Sequence, residues 1–518
     1  MKKLLIVVIT LLLSTRITEV SGQNSPYLWK NTCNCGTGQM LRTDDHQNNY
    51  VFTQSLVGNA PNIIKLKNTT GSALFNIPLS LPGLSGVNIL NSFYRGGVFY
   101  IAALADTATS YSRMMLVKVD TSGTILSHLL IDSIQAQALS GIYSAPYYSA
   151  GLFSDQSGNI HLAFKTYNSG NYMIFMKFNS SFGLLNYHAE FIPWSSNAGV
   201  FHNTKSGAIY FTNTGQVCKL NSTYSGLDWT AGLGTYEDVK IMEDDGAGHL
   251  FFVTDDYSMG QTHFNRIRKL TDLGSNYSLG FAYNMQEYQK TVDVMVVDSV
   301  YNAVYVSGYY TSLTPYSRMV QKFNALNGAS IWKDSIISNY VVSKLLLDNN
   351  RRLTAVGGGP DYKVWRYNSF GHVYDSLFYD GPCGGNDEIL AARFDDANYL
   401  IVTGTTCESS SNVNYGTTLR YVTPLVATGI DNTSAENAVV LFPNPTQNEL
   451  SIDLGITSYD YVNVQIRNTL GQLVYEERFD NKHENISLNT SGLADGIYII
   501  SISGPFGLRS LKLKVDRQ

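Results

Sequence analysis

The sequence is poor in charged residues and has few cysteines. Asp, Glu, Lys and Arg make up 15% of its 518 residues, the net charge is −5, and no run of Lys or Arg stands out. Nucleic-acid-binding proteins carry a basic patch, so this composition excludes them as a function class. Beyond the N-terminus no stretch of 18 consecutive apolar residues occurs, so we expect no transmembrane segment.

Sequence motifs for catalysis and metal binding are also absent. There is no Gly-x-Ser-x-Gly, no His-Glu-x-x-His and no glycine-rich phosphate loop, and the nine His residues are scattered. The single Cys-x-Cys has neither a His nor a second close Cys pair beside it, which argues against a zinc site. We therefore expect a non-catalytic protein without cofactor or metal.

The N-terminal segment has the features of a secretory signal peptide. Two Lys residues precede the largely apolar stretch 4–13, and small residues follow at Ser21 and Gly22. Such a stretch is too short to span a bilayer and is typical of a signal peptide before its cleavage site. We expect residues 1–22 to be removed and the remaining chain to be exported.

A short motif recurs eight times along most of the remaining chain. It consists of a cation, an apolar or aromatic residue and usually Asn, Asp or Thr, and in most copies a Gly follows within a few positions. The mean spacing is about 51 residues. Each copy predicts a strand that enters a turn, because Asx side chains and Gly favour turns. We expect most of the cations to keep their charges in water at the strand edge. They are Lys65, Lys118, Lys177, Lys219, Lys269, Lys322, Arg366 and Arg420.

A second motif precedes the first in most copies. An Asp closes one strand, a turn with Gly or Asn follows, and an apolar run begins the next strand. Together the two motifs predict four antiparallel strands per repeat, which is typical of a β-propeller blade. The Asp residues are spread one per blade, so turn capping explains them better than calcium binding, which needs converging oxygens. They are Asp155, Asp244, Asp298, Asp348 and Asp395.

The two ends of the repeat array predict how the ring closes. The last copy has three strands before Pro424, and the segment 28–31 is similar to the fourth strand of another copy at 331–334. We expect this N-terminal segment to complete the final blade, which removes an open sheet edge. Residues 23–423 are thus predicted to form an all-β propeller of eight four-stranded blades, or seven if the first copy is irregular. The pattern resembles the repeats of exported Bacteroidetes β-propeller proteins.

After a linker at 424–438, residues 439–518 show a different series of strands. Alternating apolar positions predict a small immunoglobulin-like β-sandwich. Taken in order, its segments resemble the C-terminal sorting domain of the type IX secretion (Por secretion) system. The resemblance implies that the type IX secretion machinery is a partner and that the protein is secreted or reaches the outer-membrane surface of a Gram-negative bacterium. Residues of the motifs that carry the resemblance are Pro443, Asn444, Pro445, Gly471, Gly496, Tyr498 and Lys512.

Five cysteines in an exported protein indicate disulfide bonds. Cys383 precedes the first strand of the last blade and Cys407 follows its second strand, so the pair is predicted to lie within bridging distance and is the favoured one. Cys33 and Cys35 lie just beyond the closing strand and could instead pair with the other two, which would link the ring closure covalently. All three connectivities of these four residues stay open. Cys218 is predicted to be a buried free thiol.

Tyrosines in the predicted loops carry the functional hypothesis. Two classes of loop emerge on one face of a propeller: those between second and third strands, and those that join one blade to the next. Tyr offers a flat apolar ring and a hydroxyl, which suit sugar or peptide recognition on loops held by a rigid scaffold. The alternative is that these rings simply pack together. The predicted binding residues are Tyr111, Tyr147, Tyr148, Tyr257, Tyr309, Tyr310 and Tyr316.

The sequence therefore predicts a secreted or cell-surface propeller that binds glycan or protein ligands without catalysis. One alternative is a propeller glycoside hydrolase or lyase acting on polysaccharide, which would need carboxylates converging from several blades. The other alternative is a structural surface-layer protein.

Overall fold

The computed structural model is all-β in the part that it describes, since all of the secondary-structure elements there are β-strands. The chain divides into two compact units, Met1–Thr423 and Pro424–Gln518. The predicted signal peptide and linker lie outside the described residues. The described residues are 27–33, 36–54, 60–107, 112–131, 146–168, 170–192, 200–204, 207–213, 215–234, 237–259, 262–285, 290–310, 317–337, 340–381, 386–407, 414–421, 440–453, 459–469, 471–482, 485–504 and 507–517.

The described residues of the first unit form eight four-stranded antiparallel sheets, and each is one blade. The closing strand and blades 1 to 4 are built from β1 (Tyr27–Cys33), β2 (Thr37–Thr43), β3 (Asn49–Gln54), β4 (Asn62–Leu66) and β5 (Ala73–Pro78), then β6 (Leu84–Arg95), β7 (Val98–Thr107), β8 (Ser112–Asp120) and β9 (Ile125–Leu130), then β10 (Pro146–Ser154), β11 (Ile160–Asn168), β12 (Gly170–Phe178) and β13 (Leu184–Ile192), then β14 (Phe201–Asn203), β15 (Ile209–Asn213), β16 (Gln216–Leu220) and β17 (Leu227–Gly232). Blades 5 to 8 continue with β18 (Glu237–Asp244), β19 (His249–Met259), β20 (Thr262–Asp272) and β21 (Tyr277–Asn284), then β22 (Lys290–Asp298), β23 (Ala303–Tyr310), β24 (Ser317–Asn324) and β25 (Ser330–Ile337), then β26 (Val341–Leu347), β27 (Leu353–Gly358), β28 (Tyr362–Tyr367) and β29 (Val373–Tyr379), then β30 (Glu388–Phe394), β31 (Leu400–Cys407) and β32 (Asn414–Tyr421).

The blades close into a ring. The first strands of successive blades contact one another from β2 and β6 through to β26 and β30, and β30 contacts β2 again. Apolar side chains fill the space between neighbouring sheets, as in the cluster that joins blades 2 and 3. The propeller prediction is confirmed, and the described residues form eight blades.

The closing strand is the N-terminal one, as predicted. Strand β1 pairs with β32 as the fourth strand of blade 8, and Trp29 lies opposite Arg420 in the register. The Trp29 ring is 6% exposed and its Nε1 donates a hydrogen bond to the carbonyl of Asn68, in the turn of blade 1. The first and last parts of the ring are therefore bonded to each other.

Five of the repeated cations link neighbouring blades, a role that the sequence did not indicate. The six lysines of the motif are partly exposed, whereas Arg366 and Arg420 are buried. All eight cations lie on third strands, and these five donate to backbone carbonyls in the turn between the third and fourth strands of the next blade. The contacts are Lys65 with Thr121 (3.0 Å), Lys118 with Ser180 (3.4 Å), Lys219 with Gly274 (2.8 Å), Lys269 with Ala325 (3.2 Å) and Arg420 with Asn68 (3.2 Å). Lys177 and Arg366 pair instead with Asp155 and Asp375 of their own blades.

The Gly of the repeated motif takes part in the same interface. Gly71, with a φ of +67°, lies in the turn of blade 1 against the Trp29 ring, where an added Cβ would be 2.4 Å from the ring. Gly371 of blade 7 lies in the same way against Trp332 of blade 6. Gly328 of blade 6 lies against Phe281 of blade 5 in the same manner, so in these three copies the motif Gly makes room for an aromatic ring from the fourth strand of the preceding blade.

The repeated Asp residues cap turns, as predicted. Asp395 Oδ1 accepts a hydrogen bond from the backbone N–H of Tyr399 at 2.8 Å, and Asp155 Oδ1 accepts one from Asn159 at 2.9 Å. Asp395 Oδ2 also lies 2.6 Å from Arg420, and this ion pair is almost completely buried. The second motif thus joins the first within one blade.

In the part of the second unit that the structure describes, two sheets surround one apolar core, which includes Leu450, Val464, Ile500 and Leu513. The strand order is β33-β34-β37 in one sheet and β36-β35-β38-β39 in the other. This arrangement agrees with the predicted β-sandwich. The strands are β33 (Val440–Phe442), β34 (Glu449–Asp453), β35 (Tyr459–Asn468), β36 (Leu473–Lys482), β37 (Asn485–Asn489), β38 (Gly496–Gly504) and β39 (Gly507–Val515).

Candidate functional site

Most of the predicted binding residues lie at one edge of the ring. We call it the upper edge and define it as the edge where each first strand begins and each second strand ends. Glu237 lies opposite Asp256 there in blade 5, and Lys290 lies opposite Tyr310 in blade 6. Residues at these strand ends therefore meet on the same side of the propeller.

The structure places five of the predicted tyrosines in strands rather than in loops. Tyr147 and Tyr148 lie near the beginning of β10, Tyr257 lies near the end of β19, and Tyr309 and Tyr310 end β23. All five are at the upper edge. Their hairpins extend further than predicted because aromatic residues favour continued strand pairing. The other two predicted residues, Tyr111 and Tyr316, lie outside the described residues.

A buried charged cluster lies at the same edge in blade 5. Glu237 accepts hydrogen bonds from Arg266 and from Arg268, the latter at 2.5 Å, and Asp256 lies 2.6 Å from Arg266. Glu237 and Asp256 are 5% and 3% exposed. Glu237 Oε2 has no hydrogen-bond partner among the described residues. A buried ionic cluster of this kind adds little net stability, so we regard it as a candidate for function.

Two further ion pairs lie near this cluster. Lys240 is 2.6 Å from Asp255 in blade 5, and Arg318 is 3.3 Å from Asp293 in blade 6. Burial raises the pKa of Asp293, and the positive charges of Arg318 and Lys240 oppose that rise. The four carboxylates of blades 5 and 6 that this site includes each contact a cation, so their charges are balanced.

Sequence reasoning missed most of this cluster. The acidic pair Asp255-Asp256 is visible in the sequence, but nothing there connects it with Glu237, which lies 18 residues earlier. A usable signal was the alternation Arg266-x-Arg268 on the following strand, because residues two apart share one face of a sheet. The described residues contain no group of three or more His, Cys, Asp or Glu placed to bind a metal ion.

The predicted disulfide residues are only partly described. Cys33 and Cys407 are not free thiols, whereas the buried Cys218 is free, as predicted. Cys35 and Cys383 lie outside the described residues. Asp387 accepts hydrogen bonds from the N–H of Cys407 at 3.0 Å and from that of Gly381 at 2.8 Å. The described part of the chain leading to position 383 is thus held against Cys407.

The predicted sorting motif joins the two ends of the second unit. Asn444 donates to the carbonyl of Lys512 at 2.8 Å and accepts from the N–H of Lys514 at 2.9 Å. The flanking prolines, at 443 and 445, both follow cis peptide bonds. The hydroxyl of Tyr498 donates to the carbonyl of Ala494 at 2.8 Å, near Gly496.

The second unit also matches a known family. Residues 440–512 match the family model described as "Secretion system C-terminal sorting domain". The chain therefore carries a type IX sorting domain. Together with the propeller fold, this match supports an exported Bacteroidetes propeller protein, and the sorting domain indicates export to the cell surface or the extracellular space. Its sorting domain implies contact with the type IX secretion machinery.

The comparison with solved structures found matches that share little sequence with this chain. The extracellular domain of a putative one-component system from B. thetaiotaomicron is 13% identical, with 92% of this chain and 81% of that chain covered and a TM-score of 0.28. A putative 6-phosphogluconolactonase from Bacteroides uniformis is 11% identical, with 62% and 94% covered and a TM-score of 0.40. The Dos1 propeller is 9% identical, with 76% and 95% covered and a TM-score of 0.44. No curated protein matches the chain.

Among the described residues, no helix is both long enough and apolar enough to cross a membrane.

Proposed function

We propose that this protein is a non-catalytic binding protein of the cell surface or extracellular space, and that it holds a glycan or protein ligand at the upper edge of its propeller. The observation that carries the proposal is the strand register, which brings Tyr257, Tyr309 and Tyr310 to the same edge as the charged cluster around Glu237. Tyrosines at the same edge as fixed charges suit a ligand with both apolar faces and polar groups.

Removal of two tyrosines tests the binding surface. The full chain is applied to a glycan and peptide array, and the ligands found are titrated against the double variant Tyr309→Ala/Tyr310→Ala. We expect at least a tenfold loss of affinity. The matched control is Tyr187→Ala, because Tyr187 is exposed on the outermost strand of blade 3. Equal affinity for both variants and the wild type would exclude this surface.

The charges at the upper edge support the non-catalytic role in this proposal. A glycosidase needs one carboxyl group that stays protonated and a second that is free to act as base or nucleophile. Glu237, Asp255 and Asp256 each contact a cation within the cluster. We expect no release of reducing ends or unsaturated products from a polysaccharide panel, and such release would overturn this part of the proposal.

We also infer that the exported chain begins after residue 22 and contains two disulfide bonds, Cys383–Cys407 and Cys33–Cys35. Support for the first pairing comes from Asp387, which binds the backbone of both Gly381 and Cys407. N-terminal sequencing of the surface protein tests the cleavage. Thiol titration of the unfolded, unreduced protein should find one thiol, and peptide mapping should find these two pairs. Three thiols, or a pair between 33 and 383, would contradict the pairing.

A further inference from the structure

Two arginines lie side by side where the ring closes. Arg42 belongs to the first strand of blade 1 and Arg393 to that of blade 8, and these two strands contact each other. Arg42 lies opposite Tyr50, and Arg393 lies opposite Ile401, in equivalent positions of the register. Both are near the end of their strands, at the edge of the ring opposite the upper edge. We call this second edge the lower edge. Arg393 donates a hydrogen bond to the hydroxyl of Thr43.

The hydrogen bonds of both arginines go to neutral oxygen atoms. Arg42 donates to the carbonyls of Ser92 at 2.7 Å and Leu41 at 2.8 Å, and to Asn91 Oδ1 at 3.3 Å. Arg393 donates to the carbonyl of Phe394 at 3.2 Å and to Thr43. A guanidinium group has five N–H donors, so each arginine keeps donors without a partner among the described residues. Both side chains are partly exposed.

The two carboxylates that act electrostatically on Arg393 have other partners. Asp395 contacts Arg420, and Asp396 accepts a hydrogen bond from the side-chain amide of Gln47. These two aspartates attract the charge of Arg393 from a distance, but neither neutralises it by contact. Burial and the charge of Arg393 lower the pKa of Arg42 to about 10, so the group remains charged at neutral pH. Two positive charges therefore adjoin each other in a protein whose net charge is −5.

We propose that Arg42 and Arg393 form a second binding site, at the lower edge of the ring, for an oxyanion such as a sulfate, phosphate or carboxylate group. An oxyanion between the two guanidinium groups accepts their remaining N–H donors and offsets their mutual repulsion. The site differs from the one proposed at the upper edge, and the two are independent of each other.

Anion titration of the full chain tests this site. Calorimetry at constant ionic strength uses inorganic sulfate and methyl β-glucuronide as probes and methyl β-glucoside as the neutral control. Saturable binding of either anion, without binding of the glucoside, is the expected result. The two anions distinguish an inorganic ion from an acidic sugar as the source of the oxyanion. Failure of both anions to bind, or equal binding of the glucoside, would overturn the proposal.

Variants assign the binding to the arginine pair. Arg393→Gln should weaken anion binding at least tenfold. Arg393→Lys should weaken it less, because Lys keeps the positive charge but lacks the planar guanidinium group with its paired N–H donors. The matched control is Arg95→Gln, since Arg95 also ends a first strand and bonds to Ser154 and backbone carbonyls. Unchanged binding in Arg393→Gln would refute the assignment. Tyr309→Ala should not alter anion binding, which separates this site from the upper edge.

Discussion

Replacement of Gly71 by Ala should destabilise the propeller at its ring closure. Gly71 has a φ of +67°, and a left-handed conformation costs an L-residue about 1–2 kcal/mol. The added Cβ would lie 2.4 Å from the ring of Trp29, which is 6% exposed and hydrogen-bonded to Asn68. Displacement of such a packed ring costs about 1–3 kcal/mol. The free energy of unfolding should therefore fall by about 2–5 kcal/mol in guanidinium titrations followed by circular dichroism.

A matched glycine separates the backbone strain from the clash. Gly246 has a φ of +76° and nothing within 4 Å of an added Cβ, so Gly246→Ala should cost only about 1–2 kcal/mol. Replacing Gly by Ala also lowers the conformational entropy of the unfolded chain, and the stability gained in this way is the same in both variants. Trp29→Leu should reduce the cost of Gly71→Ala in a double-mutant cycle. Equal losses for the two glycine variants, or no coupling with Trp29, would refute the reasoning.

Three further perturbations have defined outcomes. Asp395→Asn keeps the oxygen that accepts the turn hydrogen bond but removes the charge that pairs with the buried Arg420. Guanidinium titration should therefore show that the free energy of unfolding falls by about 3–5 kcal/mol. The control Asp480→Asn, in an exposed ion pair, should show no measurable change. Burial lowers the pKa of His161, so the unfolded chain binds a proton there that the folded protein does not. The free energy of unfolding should accordingly decrease as the pH falls below about 6.5, and His161→Gln should flatten that slope in titrations between pH 7 and 5. Asn444→Ala removes two hydrogen bonds to the last strand, each worth about 0.5–1.5 kcal/mol. The variant should therefore reduce the amount of exported protein measured by immunoblotting. Undiminished export would contradict this prediction.

The fold could be predicted from the sequence because its local signals repeat. Each blade needs the same turns, so the Asp and cation motifs recur once per blade. The similarity of segment 28–31 to the fourth strand at 331–334 predicts the pairing of Trp29 with Arg420. The role of the cations could not be predicted. Lys65 is 56 residues from Thr121, whose carbonyl it contacts, and only the packing of neighbouring blades brings them together.

The candidate sites were less accessible to sequence reasoning. The upper edge follows from the propeller prediction, but the cluster around Glu237 depends on which faces of three strands are paired. The arginine pair at the lower edge joins residues 42 and 393, from the first and last blades. Single residues at that separation carry no local pattern, and their proximity depends on ring closure.

Several junctions between blades have the same direction. Between blades 8 and 1 and between blades 5 and 6, the cation of one blade and the aromatic ring of its fourth strand both engage the turn of the following blade, so one blade is the donor and the next is the acceptor. Blade 8 itself differs, because its third strand, β32, and its fourth strand, β1, come from opposite ends of the propeller sequence and not from one hairpin. A circularly permuted chain that joins 423 to 27 would turn these two strands into a hairpin and, if cut between two other blades, would keep the contacts of Arg420 and Trp29 with blade 1.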